Sequence, residues 1–130
     1  MKKIGIIGSG QVAKVLGAGF IKNGYQVMIG TRDADKVNDW KAAHGGAVGT
    51  KEDAAKFGDL VVLAVKGIVA EDVIKEMSSH LSGKTVIDTT NPIGAASPQN
   101  GVLSFFTDFR MSLMERLQKL APQVNFVKAF

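Results

Sequence analysis

The chain contains no cysteine and only two histidines, His44 and His80, far apart in sequence. That excludes a disulfide framework, thiolate chemistry and a Cys/His zinc site. A reducing cytoplasm is the simplest setting for such a composition. Long apolar runs are missing too: the longest, Leu60 to Val65, has six residues, where a membrane-spanning helix needs about 20. The apolar stretch after Met1-Lys2-Lys3 is interrupted by Gly5, Gly8 and Gly10 and lacks a cleavage-site pattern. It therefore reads as a strand and not as a signal peptide. There is no basic run and no interleaving of basic with aromatic residues. The net charge of +4 comes from 16 scattered Lys and Arg against 12 Asp and Glu, a balance that argues against nucleic acid and suits a polyanionic small ligand. The expectation is a soluble, cytoplasmic protein with neither a membrane nor a nucleic-acid partner.

What is present fits one compact domain: 130 residues, 45% of them hydrophobic, can build a core without metals or cross-links. Short β-rich runs alternate with helical patterns and glycine breaks, which predicts βαβ units around a parallel sheet. Strands are expected at Ile4 to Ile7, Tyr25 to Ile29, Ala47-Val48, Leu60 to Val65, Thr85 to Asp88 and Val124 to Phe130. Helices are expected at Gln11 to Lys22, from an Asp33 cap to about Ala43, after the Thr50/Asp53 pair up to Gly58, at Val69 to Ser79 and at about Phe106 to Leu120. Leu60 to Val65 is apolar at every position, as in a central strand buried on both faces. The fold class is α/β: a Rossmann fold with a doubly wound, six-stranded parallel sheet in the order 3-2-1-4-5-6.

Gly8-Ser9-Gly10-Gln11-Val12-Ala13 spells G-x-G-x-x-A between the first strand and the first helix, the context in which this motif binds a dinucleotide. Gly8 permits the tight turn and Gly10 admits a pyrophosphate close to the backbone. Ala13, with Gly17 a turn later, lets the helix pack near the sheet. The free amides at the helix start receive the phosphates. At the end of the second strand, NAD-binding domains place an acid against the ribose 2′-hydroxyl, whereas this chain has Gly30-Thr31-Arg32, with Lys36 one turn on. A hydroxyl and two cations suit a 2′-phosphate, so the cofactor is expected to be NADP. Gly83-Lys84-Thr85 ends like a P-loop, but it precedes a strand and has Ser78 where the motif needs glycine. It is expected to be a turn.

Ile4 to Gly10 with its helix, Ile29-Gly30-Thr31-Arg32-Asp33 and Val86-Ile87-Asp88-Thr89-Thr90-Asn91-Pro92 are spread along the chain from residue 4 to residue 92. In combination they resemble the NADP-dependent oxidoreductases related to coenzyme F420-dependent NADP reductase, and they are also similar to the nucleotide domain of the STEAP metalloreductases. Val127-Lys128-Ala129-Phe130 looks like the last strand of that family. The resemblance implies NADP(H), with Ser9, Gln11 and Val12 at the pyrophosphate and Thr31, Arg32 and Lys36 at the 2′-phosphate. It implies a nicotinamide lying over Ala64-Val65-Lys66 and the Asp88 to Pro92 segment, including Asn91 and Pro92. It further implies hydride transfer to a small-molecule acceptor, a flavin or deazaflavin, and leaves a homodimer open. Two departures stand out. Lys66 occupies the place where F420 reductases usually carry proline. Family members also extend well past Phe130, so residues 1–130 are expected to form an NADP-binding domain lacking the family's C-terminal part.

Hydride transfer between ring cofactors needs placement more than an acid or base, and no catalytic triad, paired-carboxylate motif or metal cluster stands out. Lys66 either steadies an anion at the cleft mouth or marks where a buried strand meets water. Asp88 either faces the ligand crevice or fixes its own loop. Phe105, Phe106 and Phe109 are read as core and not as a roof for the nicotinamide.

Overall fold

Side chains alternate between the two faces of a strand, so Ile4 and Ile6 enter one core and Ile7 the other, all three buried. A strand apolar on both faces needs cover on both. The computed structural model, which describes residues 2–90 and 113–129, supplies it with helices on each side of a parallel sheet. The strands are β1 (Lys3–Ile7), β2 (Gln26–Gly30), β3 (Ala47–Gly49), β4 (Leu60–Leu63), β5 (Thr85–Asp88) and β6 (Asn125–Lys128). Their spatial order is β3-β2-β1-β4-β5-β6, the expected Rossmann order.

On one face, α1 (Gln11–Lys22) and α2 (Asn38–His44) enclose a core of Ile4, Ile6, Val27, Ile29 and Val62 with Ala13, Val37 and Trp40. On the other, α3 (Lys51–Phe57), α4 (Gly67–Leu81) and α5 (Leu113–Leu120) cover Ile7, Val61, Leu63 and Val86. The split follows from chain order: connections from β1 outward to β3 run on one side, and the return through α3 to β4 runs on the other. Val61, Val62 and Leu63 are fully or almost fully buried. Each contributes about 1.5–3 kcal/mol of burial.

Several boundaries differ from expectation. β4 stops at Leu63 because its neighbour β1 ends at Ile7, the partner of Leu63 in register. Ala64 N still donates to Ile7 O at 2.8 Å, after which the chain leaves the sheet. The helix expected from Asp33 divides into a 3₁₀ turn, Ala34–Val37, and α2, and the division brings Val37 and Trp40 into the core together. Asp33 does cap it, its Oδ1 accepting from Asp35 N at 3.1 Å. Gly17 has a second role beside the expected one. A Cβ there would lie 3.4 Å from Ile6 Cδ1 of the sheet and 2.7 Å from Cζ2 of Trp40, so the glycine lets the helix approach the sheet and also makes room for the indole. Trp40 Nε1 donates to Lys14 O at 2.9 Å and so ties α2 to α1. Gly83-Lys84 is a turn, as expected, and Lys84 Nζ donates to Ala55 O at 2.6 Å. Asn91, Pro92, Phe105, Phe106 and Phe109 lie outside the described residues.

The Thr50/Asp53 pair forms a complete capping box: Asp53 N donates to Thr50 Oγ1 and Thr50 N to Asp53 Oδ2, both at 3.0 Å. Thr50→Ala should cost about 1 kcal/mol, measurable by urea denaturation. The Thr50 backbone N–H, helped by its hydroxyl, holds the Asp53 carboxyl below the usual aspartate range. A carboxyl that is more acidic when folded supports the fold above its unfolded pKa. That support is lost as pH falls through the folded value. Asp53→Asn is therefore expected to flatten the acid limb of the stability–pH curve while wild type keeps it.

Candidate cofactor-binding site

β1 must turn into α1 within three residues, Gly8, Ser9 and Gly10. Gly8 has φ 130°, and a Cβ there would lie 2.2 Å from the Ala64 carbonyl oxygen. Its amide donates to Gly30 O at 3.0 Å, which joins the ends of β1 and β2. Gly10 is different: a Cβ there would meet nothing within 4 Å. The backbone at Gly10 thus borders open space, as a cradle for a phosphate requires. The first helical bond of α1 runs from Lys14 N to Gly10 O at 3.1 Å, so the amides of Gln11, Val12 and Ala13 precede any intrahelical acceptor.

This turn lines a cleft of about 410 Å³ at the C-terminal ends of β1, β2 and β4, where the strand order reverses and open α/β sheets bind ligands. One wall is Ala64, Val65, Lys66 and Val69. The other is Thr31, Arg32, Asp33, Lys36 and Lys51. The cleft is therefore strongly cationic. Asp33 is the one carboxylate among the described lining residues, and its Oδ1 is taken up by the Asp35 amide. Thr31 is buried, and its hydroxyl both accepts from Asp33 N at 3.1 Å and donates to Asp33 O at 3.3 Å. It shapes the loop that carries Arg32. The Lys51 ammonium is made more acidic than an ordinary lysine, first by partial burial and then by repulsion from Arg32, with Glu76 opposing.

At the far side of the sheet, Asp88 is fully buried and holds its own loop, accepting from Thr90 N at 2.8 Å and from Thr90 Oγ1 at 2.5 Å. Lys128 Nζ lies 3.8 Å from its other oxygen and also donates to Thr90 O. Thr89 Oγ1 donates to Leu63 O at 2.7 Å. These contacts lock the ends of β4, β5 and β6 together. Of the two readings of Asp88, loop fixation is the one these bonds support.

Of the residues singled out in sequence, the cleft brings together Gly8, Ser9, Gly10, Thr31, Arg32, Lys36, Ala64, Val65 and Lys66. Gln11 and Val12 do not line it. Both are exposed on the first turn of α1, and Gln11 borders a separate shallow groove with Lys14, Trp40 and His44. Lys51, Asp33 and Val69 line the cleft without having been singled out. Lys51 carries one signal in the sequence: it follows β3, whose end must lie beside that of β2 in a 3-2-1 order. Among the described residues no group of His, Asp or Glu could hold a metal ion, and no helix is long and apolar enough to cross a membrane.

The family model for NADP oxidoreductases, coenzyme F420-dependent, matches residues 3–92. The chain belongs to that family. The matched region contains the glycine turn, the cationic wall and the β4 wall, and the family's cofactor is NADP. The residues present fit that cofactor, with an open backbone at Gly10 and, after β2, the cations Arg32 and Lys36, which form no ion pair among the described residues. Metalloreductase STEAP3 of Rattus norvegicus is 27% identical over 128 residues, covering 98% of this chain and 24% of its own length. A chain from Arthrobacter sp. FB24, assigned as an F420-dependent NADP-reductase, superposes with a TM-score of 0.89 at 24% identity, over 98% of this chain and 62% of that one. A pyrroline-5-carboxylate reductase from Coxiella burnetii gives a TM-score of 0.75 at 23% identity, covering 99% and 43%. The chain thus spans about a quarter of the rat protein and under two thirds of the Arthrobacter chain.

Proposed function

We propose that this NADP oxidoreductase domain holds NADP(H) so that its nicotinamide exchanges a hydride with a flavin- or deazaflavin-like ring. The observation that carries this reading is the convergence of the Gly8–Gly10 turn, the Arg32/Lys36 pair and the Ala64-Val65-Lys66 wall on one cleft. Each piece serves one part of the cofactor. The amides on either side of Gly10, at Ser9, Gln11 and Val12, receive the pyrophosphate. Thr31 shapes the loop from which Arg32 and Lys36 bind the 2′-phosphate. Ala64, Val65 and Lys66 border the nicotinamide, with Asn91 and Pro92 following from β5. When bound, NADPH supplies the hydride. The protein's part is placement, since two stacked rings need alignment more than proton transfer.

The proposed partner is a small molecule and not a nucleic acid, in a cytoplasmic setting consistent with the lack of cysteine, and a homodimer is the proposed assembly. Lys66 beside the nicotinamide favours an acceptor bearing negative charge, as flavin nucleotides and F420 do. The test is NADPH oxidation followed at 340 nm with FMN, FAD, F420 and small carbonyl and imine compounds. Turnover with a flavin or deazaflavin is expected. Binding of NADPH without turnover of any acceptor would instead identify a domain that holds the cofactor and leaves the chemistry to other surfaces.

A further inference from the structure

We propose that Lys51 is a third cationic ligand of the NADP 2′-phosphate and a determinant of the preference for NADP over NAD. This rests on the assignment of Arg32 and Lys36 to that phosphate. Lys51 is the first residue of α3, directly after the Thr50 cap. Its place beside the ribose end of the cleft is set by Gly30, the last residue of β2. A Cβ on Gly30 would lie 2.7 Å from Ala54 Cβ, 2.8 Å from Lys51 Cα and 2.8 Å from Thr50 O. The start of α3 therefore rests on the end of β2, where the ribose-reading residues begin. Thr31 N donates to Gly49 O at 3.0 Å, which pins the two segments together. The capping box fixes α3 so that Lys51 cannot drift along its own helix.

The charges around Lys51 point the same way. Arg32 faces it from the loop after β2, Lys36 lines the same wall, and Glu76 on α4 acts on it more weakly than Arg32 does. Among the described residues none of Arg32, Lys36 and Lys51 forms an ion pair. Cations gathered in a partly desolvated cleft repel one another unless an anion bridges them. A phosphate monoester carries about −1.5 to −2 charge with three acceptor oxygens, enough for the planar Arg32 fork and for two ammonium groups. NAD offers only a hydroxyl there. A cluster built at this cost in repulsion discriminates between the two cofactors.

The test is titration of 2′,5′-ADP and 5′-ADP, and of NADP⁺ and NAD⁺, against wild type, Lys51→Gln, Lys51→Arg and Arg32→Ala, with the apo melting temperature of each. Lys51→Gln should weaken 2′,5′-ADP and NADP⁺ roughly tenfold and leave 5′-ADP and NAD⁺ within about twofold. Lys51→Arg should restore most of the loss. The apo Lys51→Gln protein should melt no lower than wild type, because removing one like charge relieves repulsion. An equal loss for both members of each pair, or a lower melting temperature with both lost, assigns Lys51 to the scaffold and overturns the proposal. No loss also overturns it. If Arg32→Ala selectively weakens 2′,5′-ADP while Lys51→Gln does not, only the role of Lys51 falls. If neither variant discriminates, the 2′-phosphate reading itself fails.

Discussion

Gly8→Ala should abolish NADP binding and destabilise the fold by about 3 kcal/mol or more. Two independent penalties fall on this one atom. The backbone φ of 130° is a conformation that residues with a Cβ rarely adopt. The new Cβ would also lie 2.2 Å from the Ala64 carbonyl oxygen. That oxygen belongs to the main chain, so no rotamer change can move it away. Relief requires the β1–α1 turn or the β4 exit to shift, and both line the cleft. The same substitution at Gly10 separates binding from folding. Its Cβ would meet nothing within 4 Å, so Gly10→Ala should keep a melting temperature close to wild type and still weaken NADP by occupying the phosphate's approach. Thermal melts and calorimetric titration of both variants measure the contrast. A Gly8→Ala protein that melts and binds like wild type would refute the account of the turn.

Arg32→Ala should weaken NADP⁺ on the order of 50-fold, the loss expected when charge-assisted hydrogen bonds to a phosphate are removed. NAD⁺ affinity should stay within about twofold, because its 2′-hydroxyl has no charge to neutralise. Arg32 is exposed at the cleft edge and makes no ion pair among the described residues, so its removal leaves no buried partner stranded and the fold should be unaffected. Arg32→Lys should recover only part of the affinity, since an ammonium lacks the planar fork that meets two phosphate oxygens at once.

Most of this site was legible in the chain because its signals are local. A turn that needs glycine, a helix that follows it and a strand that ends in Thr-Arg in place of an acid are each decided by a few adjacent residues. The exceptions involve residues whose partners are distant in sequence. The side chain of Gln11 borders the groove beside Trp40 and not the cleft, so only its backbone amide is offered to a phosphate there. Gly17 does bring the helix against Ile6 of the sheet, but the indole of Trp40, 23 positions later by the numbering, also needs that space, and no local signal shows it. β4 was expected to run to Val65 because its residues stay apolar, but a strand continues only while a neighbour offers hydrogen bonds, and β1 ends at Ile7.

By itself, then, the sequence determined the elements, the parallel doubly wound order, the glycine cradle and the cationic character of the ribose end, since periodicity, turn chemistry and charge are properties of neighbouring residues. Tertiary structure alone decided that Lys51 joins Arg32 and Lys36 and that Asp88, held by Thr90 and Lys128, is spent on its loop. Those outcomes depend on which strand ends lie side by side and how closely their backbones approach. That approach is set at Gly30 and Gly8 by contacts with residues of α3 and of the chain leaving β4.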